Sequence, residues 1–309
     1  MKKDLLIKAF AIFMVLNILL LAGCGSREIP VTRNERYLSG ITPENAAVIN
    51  DAVVDVFGDD DILSTRVTQA LFNQVVKIVS REGSWTQIMM LDGTTGWVKT
   101  KYVSSDTSCV TDGRINNRIV VTAKAVYVYT GTSNDIKFKQ VVLGTELYSV
   151  SKTKTGYNVL LPNNIQGWVE DGGVIAVPVE QNIIPKTSAE DFIQTVKKFE
   201  GTIYIIGGIS RWGMDSQGLC YVSSMINGVD IPRNLKDMSK TGTSVSLKEL
   251  KPGDLLMFGT DNTKKDISDA GVYTGDNKFV HSSSSRGVVT DSLDDTYYKN
   301  RIVSIRRIF

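Results

Sequence analysis

The residues Asp215-Ser216-Gln217-Gly218 mark the place where this chain could do chemistry. They follow an apolar run ending in Gly207-Gly208 and a loop holding Trp212 and Gly213, and they open an apolar segment of helical character. Asp is a good helix N-cap and Gly228 a natural stop, which predicts a helix from about Ser216 to Ile226. Ser216 then falls in the first turn, where unpaired N–H groups and the positive end of the helix dipole favour an anion. Such a place suits a nucleophile, a thiolate above all. A serine there needs a base to take its proton as it attacks. Cys220, one turn on in the apolar context Leu219-Cys220-Tyr221-Val222, is expected to be a small buried hydrophobe and not a displaced nucleophile.

The flanking motifs resemble those of the NlpC-type family of papain-like cell-wall peptidases. In that family a Tyr-x-x-Gly-Gly loop leads to Asp-Cys-Ser-Gly, whose Cys is the nucleophile; here Tyr204, Gly207 and Gly208 precede Asp215-Ser216-Gln217-Gly218. The segments from Gly228 to Arg233 and from Leu250 to Phe258 follow in the family's order. Ile267 to Gly275 is similar to the strand bearing the family's base His, with Asp269 at that position, and Lys278 to Ser283 to the strand bearing the orienting residue, here His281. The resemblance covers roughly residues 187 to 309, and the intervals of 53 and 12 residues between these three positions are those expected of the family. It implies a papain-like α+β domain with Ser216, Asp269 and His281 at the triad positions. The nucleophile and base have both been replaced while the framework is kept.

That double change leaves two chemical outcomes open. A carboxylate with an ordinary pKa of about 4 is too weak a base for an alcohol, so a cleft with Ser216 beside Asp269 binds stem peptides without cutting them. Alternatively the base and orienter are exchanged, His281 serving Ser216 and Asp269 steadying His281, which requires the imidazole within about 3 Å of the hydroxyl. The resemblance nominates Tyr204, Trp212, Asp215 and Gln217 as substrate contacts. Asp215 is equally readable as a helix cap, and Tyr204 and Trp212 as residues that merely pack on the helix. Arg233 and Asp254 are expected to hold loops through charge-assisted bonds.

The elements that position these residues occupy a chain of 309 residues, 42% hydrophobic and 22% charged, long enough for two or three cores. A net charge of +2 without a basic block excludes nucleic-acid binding as an expectation. Residues 1–24 read as a signal: Lys2, Lys3 and Lys8, an apolar run from Ala9 to Leu21, then Leu21-Ala22-Gly23-Cys24. This resembles a bacterial lipoprotein signal and implies export and lipidation of Cys24, with residues 25–41 as a tether. A short helix is expected to start at Thr42-Pro43-Glu44.

Residues 46–179 repeat themselves. Val54 to Phe57 aligns with Val126 to Tyr129 and Trp85 with Tyr157 at an offset of 72, while Gly96-Trp97-Val98 aligns with Gly167-Trp168-Val169 at 71. Short β-rich runs between turn residues predict two small all-β barrels, 42–108 and 117–179, and the Gly-Trp-Val pattern resembles bacterial SH3 domains. Trp97 and Trp168 are expected in the barrel cores. A linker over 177–185 leads to the last domain, 187–309, in which a capped helix at Ser188 and the Ser216 helix precede strands at 254–258, 270–273, 278–282, 287–290 and 301–308. Cys109 and Cys220 are expected unpaired, and no metal or cofactor is expected. The expected partners are peptidoglycan or its muropeptides, the membrane through Cys24, and on a third reading another exported envelope protein gripped by the barrels.

Overall fold

The computed structural model describes residues 41–131, 133, 135–181, 184–261 and 266–309, so the signal segment with Cys24 and nearly all of the tether lie outside the described residues. Thr42 to Asn45 make one turn closed by Ala46 N donating to Thr42 O at 2.9 Å, not the start of a helix. The chain leaves it at once because Ala46–Ile49 is fully buried and pairs with two strands, a tertiary demand that overrides the local capping signal.

Seven strands follow: β1 (Ala46–Ile49), β2 (Val53–Phe57), β3 (Arg66–Leu71), β4 (Val75–Glu82), β5 (Trp85–Met90), β6 (Thr95–Lys99) and β7 (Val103–Ser104). They form one sheet in the order β3-β2-β6-β5-β4-β1-β7. A second set comprises β8 (Asn117–Val121), β9 (Ala125–Thr130), β10 (Ile136–Val142), β11 (Glu146–Lys152), β12 (Gly156–Leu161), β13 (Ile165–Glu170) and β14 (Val174–Pro178). Its order, β10-β9-β13-β12-β11-β8-β14, is the first order strand for strand. The internal repeat in the sequence is thus a repeat of topology. Val177 and Pro178, read as linker, are instead the last residues of β14.

Alternation decides what fills each core. Val54, Val56, Ile88 and Val98 form the first, and Val128, Tyr157, Val159 and Val169 belong to the second. Trp97 and Trp168 each precede an inward valine, so the two-residue period turns both indoles to the outer face, against the expectation that they build the cores.

The last unit begins with α1 (Ala189–Lys197), started by a capping box between Ser188 and Asp191. A small hairpin, β15 (Ile209–Ser210) with β16 (Gly213–Met214), leads into α2 (Ser216–Ile226). Then β17 (Thr243–Ser244), β18 (Leu255–Gly259), β19 (Ile267–Gly275), β20 (Lys278–Ser283), β21 (Gly287–Ser292) and β22 (Ile302–Arg307) form an antiparallel sheet ordered β17-β22-β18-β19-β20-β21. Phe192, Val196, Leu219, Val222, Val272 and Val280 bury the two helices against it.

The three units are closely joined. Arg66 donates to Ile206 O at 3.1 Å, Ile209 N to Gln69 Oε1 at 3.1 Å, and Lys198 to Thr122 O at 2.9 Å. Gly207, at φ 75°, is required there because a Cβ would lie 2.7 Å from Arg66 O. A cavity of about 320 Å³ lies where all three units meet, between Phe72, Met90, Tyr148, Tyr221 and Ile231.

Candidate functional site

The site is assembled by the N-terminus of α2 facing β19 and β20. Asp215 caps the helix by accepting from Gly218 N at 2.6 Å, and its second oxygen accepts from Gly207 N at 2.8 Å. Arg233 donates to both oxygens of Asp215, at 3.0 and 2.9 Å, with both side chains buried, and to Gln217 Oε1 at 3.3 Å. Every carboxylate contact of Asp215 is thereby internal: it fixes the loop, the helix and the Arg233 segment together. Gly218 allows the crossing, since a Cβ there would collide with the Gly208 carbonyl.

Ser216 is buried in the first turn, and its Oγ accepts from Ala270 N at 3.3 Å. The same N–H donates to Asp269 Oδ1 at 2.8 Å, so hydroxyl and carboxylate share one backbone donor. Asp269 Oδ2 lies 2.9 Å from His281 Nδ1, and the opposite ring nitrogen, Nε2, lies 2.9 Å from Asp291 Oδ2. A neutral imidazole has one N–H to give, so two carboxylates on its two nitrogens are satisfied together only by the imidazolium. Burial of His281 works against its charge, but Asp269 and then Asp291 outweigh it and raise its pKa above the ordinary value.

Arg286 and Tyr298 complete the network from the side of β21. Arg286 grips Asp291 through both terminal nitrogens, and Tyr298 donates its hydroxyl to Asp291 at 2.7 Å. The Arg286 guanidinium holds the Asp291 carboxyl well below the usual carboxylate range, with Tyr298 and His281 adding to it. Burial and the Asp291 charge push the Tyr298 phenol up. Asp291, Arg286 and Tyr298 were missed in the sequence. Asp291 pairs with Phe279, two residues from His281 on β20, which puts it diagonally beside the imidazole on one face.

Of the other sequence-predicted residues, Tyr204 is brought to the site. It bridges to Met214, and its pKa is raised by burial and by the neighbouring Asp215 and Asp269 carboxylates. Gln217 is half-buried against Arg233, and Trp212 stands on the hairpin turn with 42% of its surface exposed. Arg233 and Asp254 hold the framework, the latter through Arg307 at 2.8 and 2.7 Å. The exchanged triad, which needs His281 on the Ser216 hydroxyl, is not the arrangement observed, because Asp269 and Asp291 occupy the two imidazole nitrogens. Cys220 is fully buried with its thiol pushed up by that burial, and Cys109 is likewise buried, free and pushed up to about 12.

Comparison with known proteins matches this architecture. Residues 201–307 match the model of the NlpC/P60 family, and residues 62–104 that of the bacterial SH3 domain. The gamma-D-glutamyl-L-lysine dipeptidyl-peptidases of Bacillus cereus and Bacillus subtilis are 30% and 31% identical over 251 residues, 78% of this chain and 74% and 81% of theirs. The crystal structure of an NlpC/P60 family protein from Bacillus cereus superposes with a TM-score of 0.79 at 25% identity, covering 85% of this chain and 99% of that one. The chain belongs to the NlpC/P60 family of cell-wall peptidases, and an SH3 domain precedes its family domain.

Proposed function

We propose that this protein is a non-hydrolysing member of its family, which grips peptidoglycan stem peptides in a cleft at Ser216 and does not cut them. The observation that carries the reading is the placement of charge. Ser216 is an alcohol beside a carboxylate, and the histidine that could have served it has its two ring nitrogens against Asp269 and Asp291. With both ring nitrogens against carboxylates, His281 is not placed to take the Ser216 proton, and a carboxylate is a poor base for an alcohol. The loss of such a constellation removes several powers of ten in rate.

Asp215, Arg233 and the glycine loop fix the start of α2 at Ser216, and Trp212 stands exposed on the neighbouring hairpin turn. We divide the chain as a lipoprotein signal ending before Cys24, a tether, two SH3-like barrels (42–108 and 117–179) and a papain-like domain (187–309). In this reading acylated Cys24 ties the protein to the outer face of a bacterial membrane, within reach of the wall. Calorimetric titration with a peptide containing γ-D-glutamyl-L-lysine tests it alongside chromatography of the mixture. Saturable binding with the peptide left whole is expected; release of fragments that stops in Ser216→Ala overturns it.

A further inference from the structure

We propose that the cavity where the three units meet is a binding site for a small organic cation with an apolar body, separate from the cleft at Ser216. None of Tyr204, Ser216, Asp269 or His281 lines it. The cavity follows from the internal repeat. At the offset of 72, Phe72-Asn73-Gln74 of the β3–β4 turn corresponds to Gly144-Thr145-Glu146 at the β10–β11 turn, and the fold sets these equivalent turns against each other, Asn73 donating its side-chain amide to Glu146 O at 3.4 Å. Where the first copy has Phe72 the second has Gly144, at φ 88°, and α2 closes in on it: a Cβ there would lie 3.1 Å from Met225 and Val222.

The walls are graded from apolar to acidic. Phe72, Met90, Tyr148, Ile209 and Ile231 are buried and form the floor, whereas Tyr221 and Met225 on α2 and Asp92 at the tip of the β5–β6 hairpin are half-buried, and Asp230 is exposed at the rim. Among the described residues no lysine, arginine or histidine lines the cavity, while Asp92, Glu146 and Asp230 do. Glu146 is held by the buried Arg118 guanidinium at 3.3 Å, and Lys139, whose ammonium lies 5.5 Å from the Phe72 ring, is bound to Asp51 at 2.7 Å. Asp92 takes hydrogen bonds from neutral groups, the Thr94 amide at 2.9 Å and the Tyr221 hydroxyl at 3.1 Å, and so keeps its negative charge at the mouth.

This gradient sets the chemistry of the ligand. An apolar body displaces water from the floor, and the unbranched Met90 and Met225 side chains adapt to its outline. Its ammonium stays at the half-solvated mouth beside Asp92, where the charge is not stripped of all its water. A carboxylate in that place would meet Asp92 and Asp230 and be repelled. At about 320 Å³ the cavity stands near the lower end of small-molecule sites, which run to roughly 300–1,000 Å³, and suits a body the size of one fused ring system. Because its walls come from all three units, an occupant that binds only the folded chain stabilises their junction by mass action.

The test uses the intact chain and three probes that share one ring system: tryptamine, the uncharged tryptophol and the anionic indole-3-acetate. Calorimetry should show one saturable tryptamine site, with tryptophol about tenfold weaker and indole-3-acetate not bound, and tryptamine should raise the melting temperature. Asp92→Asn keeps an acceptor for the Thr94 amide, so its melting temperature without ligand should match the parent's, while its preference for tryptamine over tryptophol should disappear. Free γ-D-glutamyl-L-lysine peptide should leave tryptamine in place. Absence of tryptamine binding, equal binding of the three probes, an undiminished preference in Asp92→Asn, or displacement of tryptamine by the peptide overturns the inference. A peptide that does not bind at all sinks the cleft reading and leaves this one standing.

Discussion

His281 places Nδ1 2.9 Å from Asp269 Oδ2, while the Ser216 hydroxyl takes its hydrogen bond from the Ala270 amide beside that carboxylate. Nucleophile and imidazole are thus separated by the residue that stands at the family's base position. Restoring the family's residues should restore its chemistry. Ser216→Cys alone is expected to give no turnover of a γ-D-glutamyl-L-lysine peptide, since Asp269 remains, whereas Ser216→Cys with Asp269→His should exceed the parent by roughly 10³-fold. Equal rates for the single and double variants would reject this account.

The charge on His281 is open to direct observation because it is the chain's one histidine. Its pKa is raised in the folded state despite burial, chiefly by Asp269. A raised pKa means the folded form binds the proton more tightly, so the stabilisation is fully present below the unfolded value of about 6.5 and is lost as pH rises through the folded value. The melting temperature of the parent should therefore fall on that alkaline side relative to His281→Gln. Imidazole ¹⁵N shifts should show both nitrogens protonated at pH 6.5; a single neutral tautomer there would contradict the two-carboxylate clamp.

Asp215 and Arg233 form the buried pair on which the site's frame depends. Asp215→Ala removes the cap of α2 and the Gly207 contact and leaves a buried guanidinium without its carboxylate. A loss of about 3–5 kcal/mol is expected in urea unfolding, against about 1 kcal/mol for an exposed cap. A loss no larger than that of an ordinary cap would show that Arg233 finds another partner.

The joint between the first barrel and the site loop should be separable from the stability of either. Gln69→Leu leaves the buried Ile209 amide without its acceptor and should cost about 1–3 kcal/mol. Hydrogen exchange should quicken at Ile209 and Gly207 while amides of β4 and β5 keep their protection. Uniform quickening across the chain would mean that the joint is part of the global fold.

Much of this was legible along the chain. The cap, helical spacing and stop placed α2 at Ser216 to Ile226, and the offsets of 72 and 71 announced two copies of one sheet, because local propensity and repetition act over short ranges. The changed identities at Ser216 and Asp269 were equally plain. Strand alternation could have shown that Trp97 and Trp168 face outward, for each adjoins an inward valine.

What only the tertiary structure decided is which group each charge faces. Asp291 reaches His281 through the β20–β21 pairing, Arg233 reaches Asp215 across 18 residues, and Arg66 reaches Ile206 across 140. Charges act through space and through the burial around them, and neither distance nor burial is written in residue order. Composition alone permitted a working Ser-His-Asp triad; packing set the imidazole of His281 between Asp269 and Asp291 and bonded the Ser216 hydroxyl to the Ala270 amide.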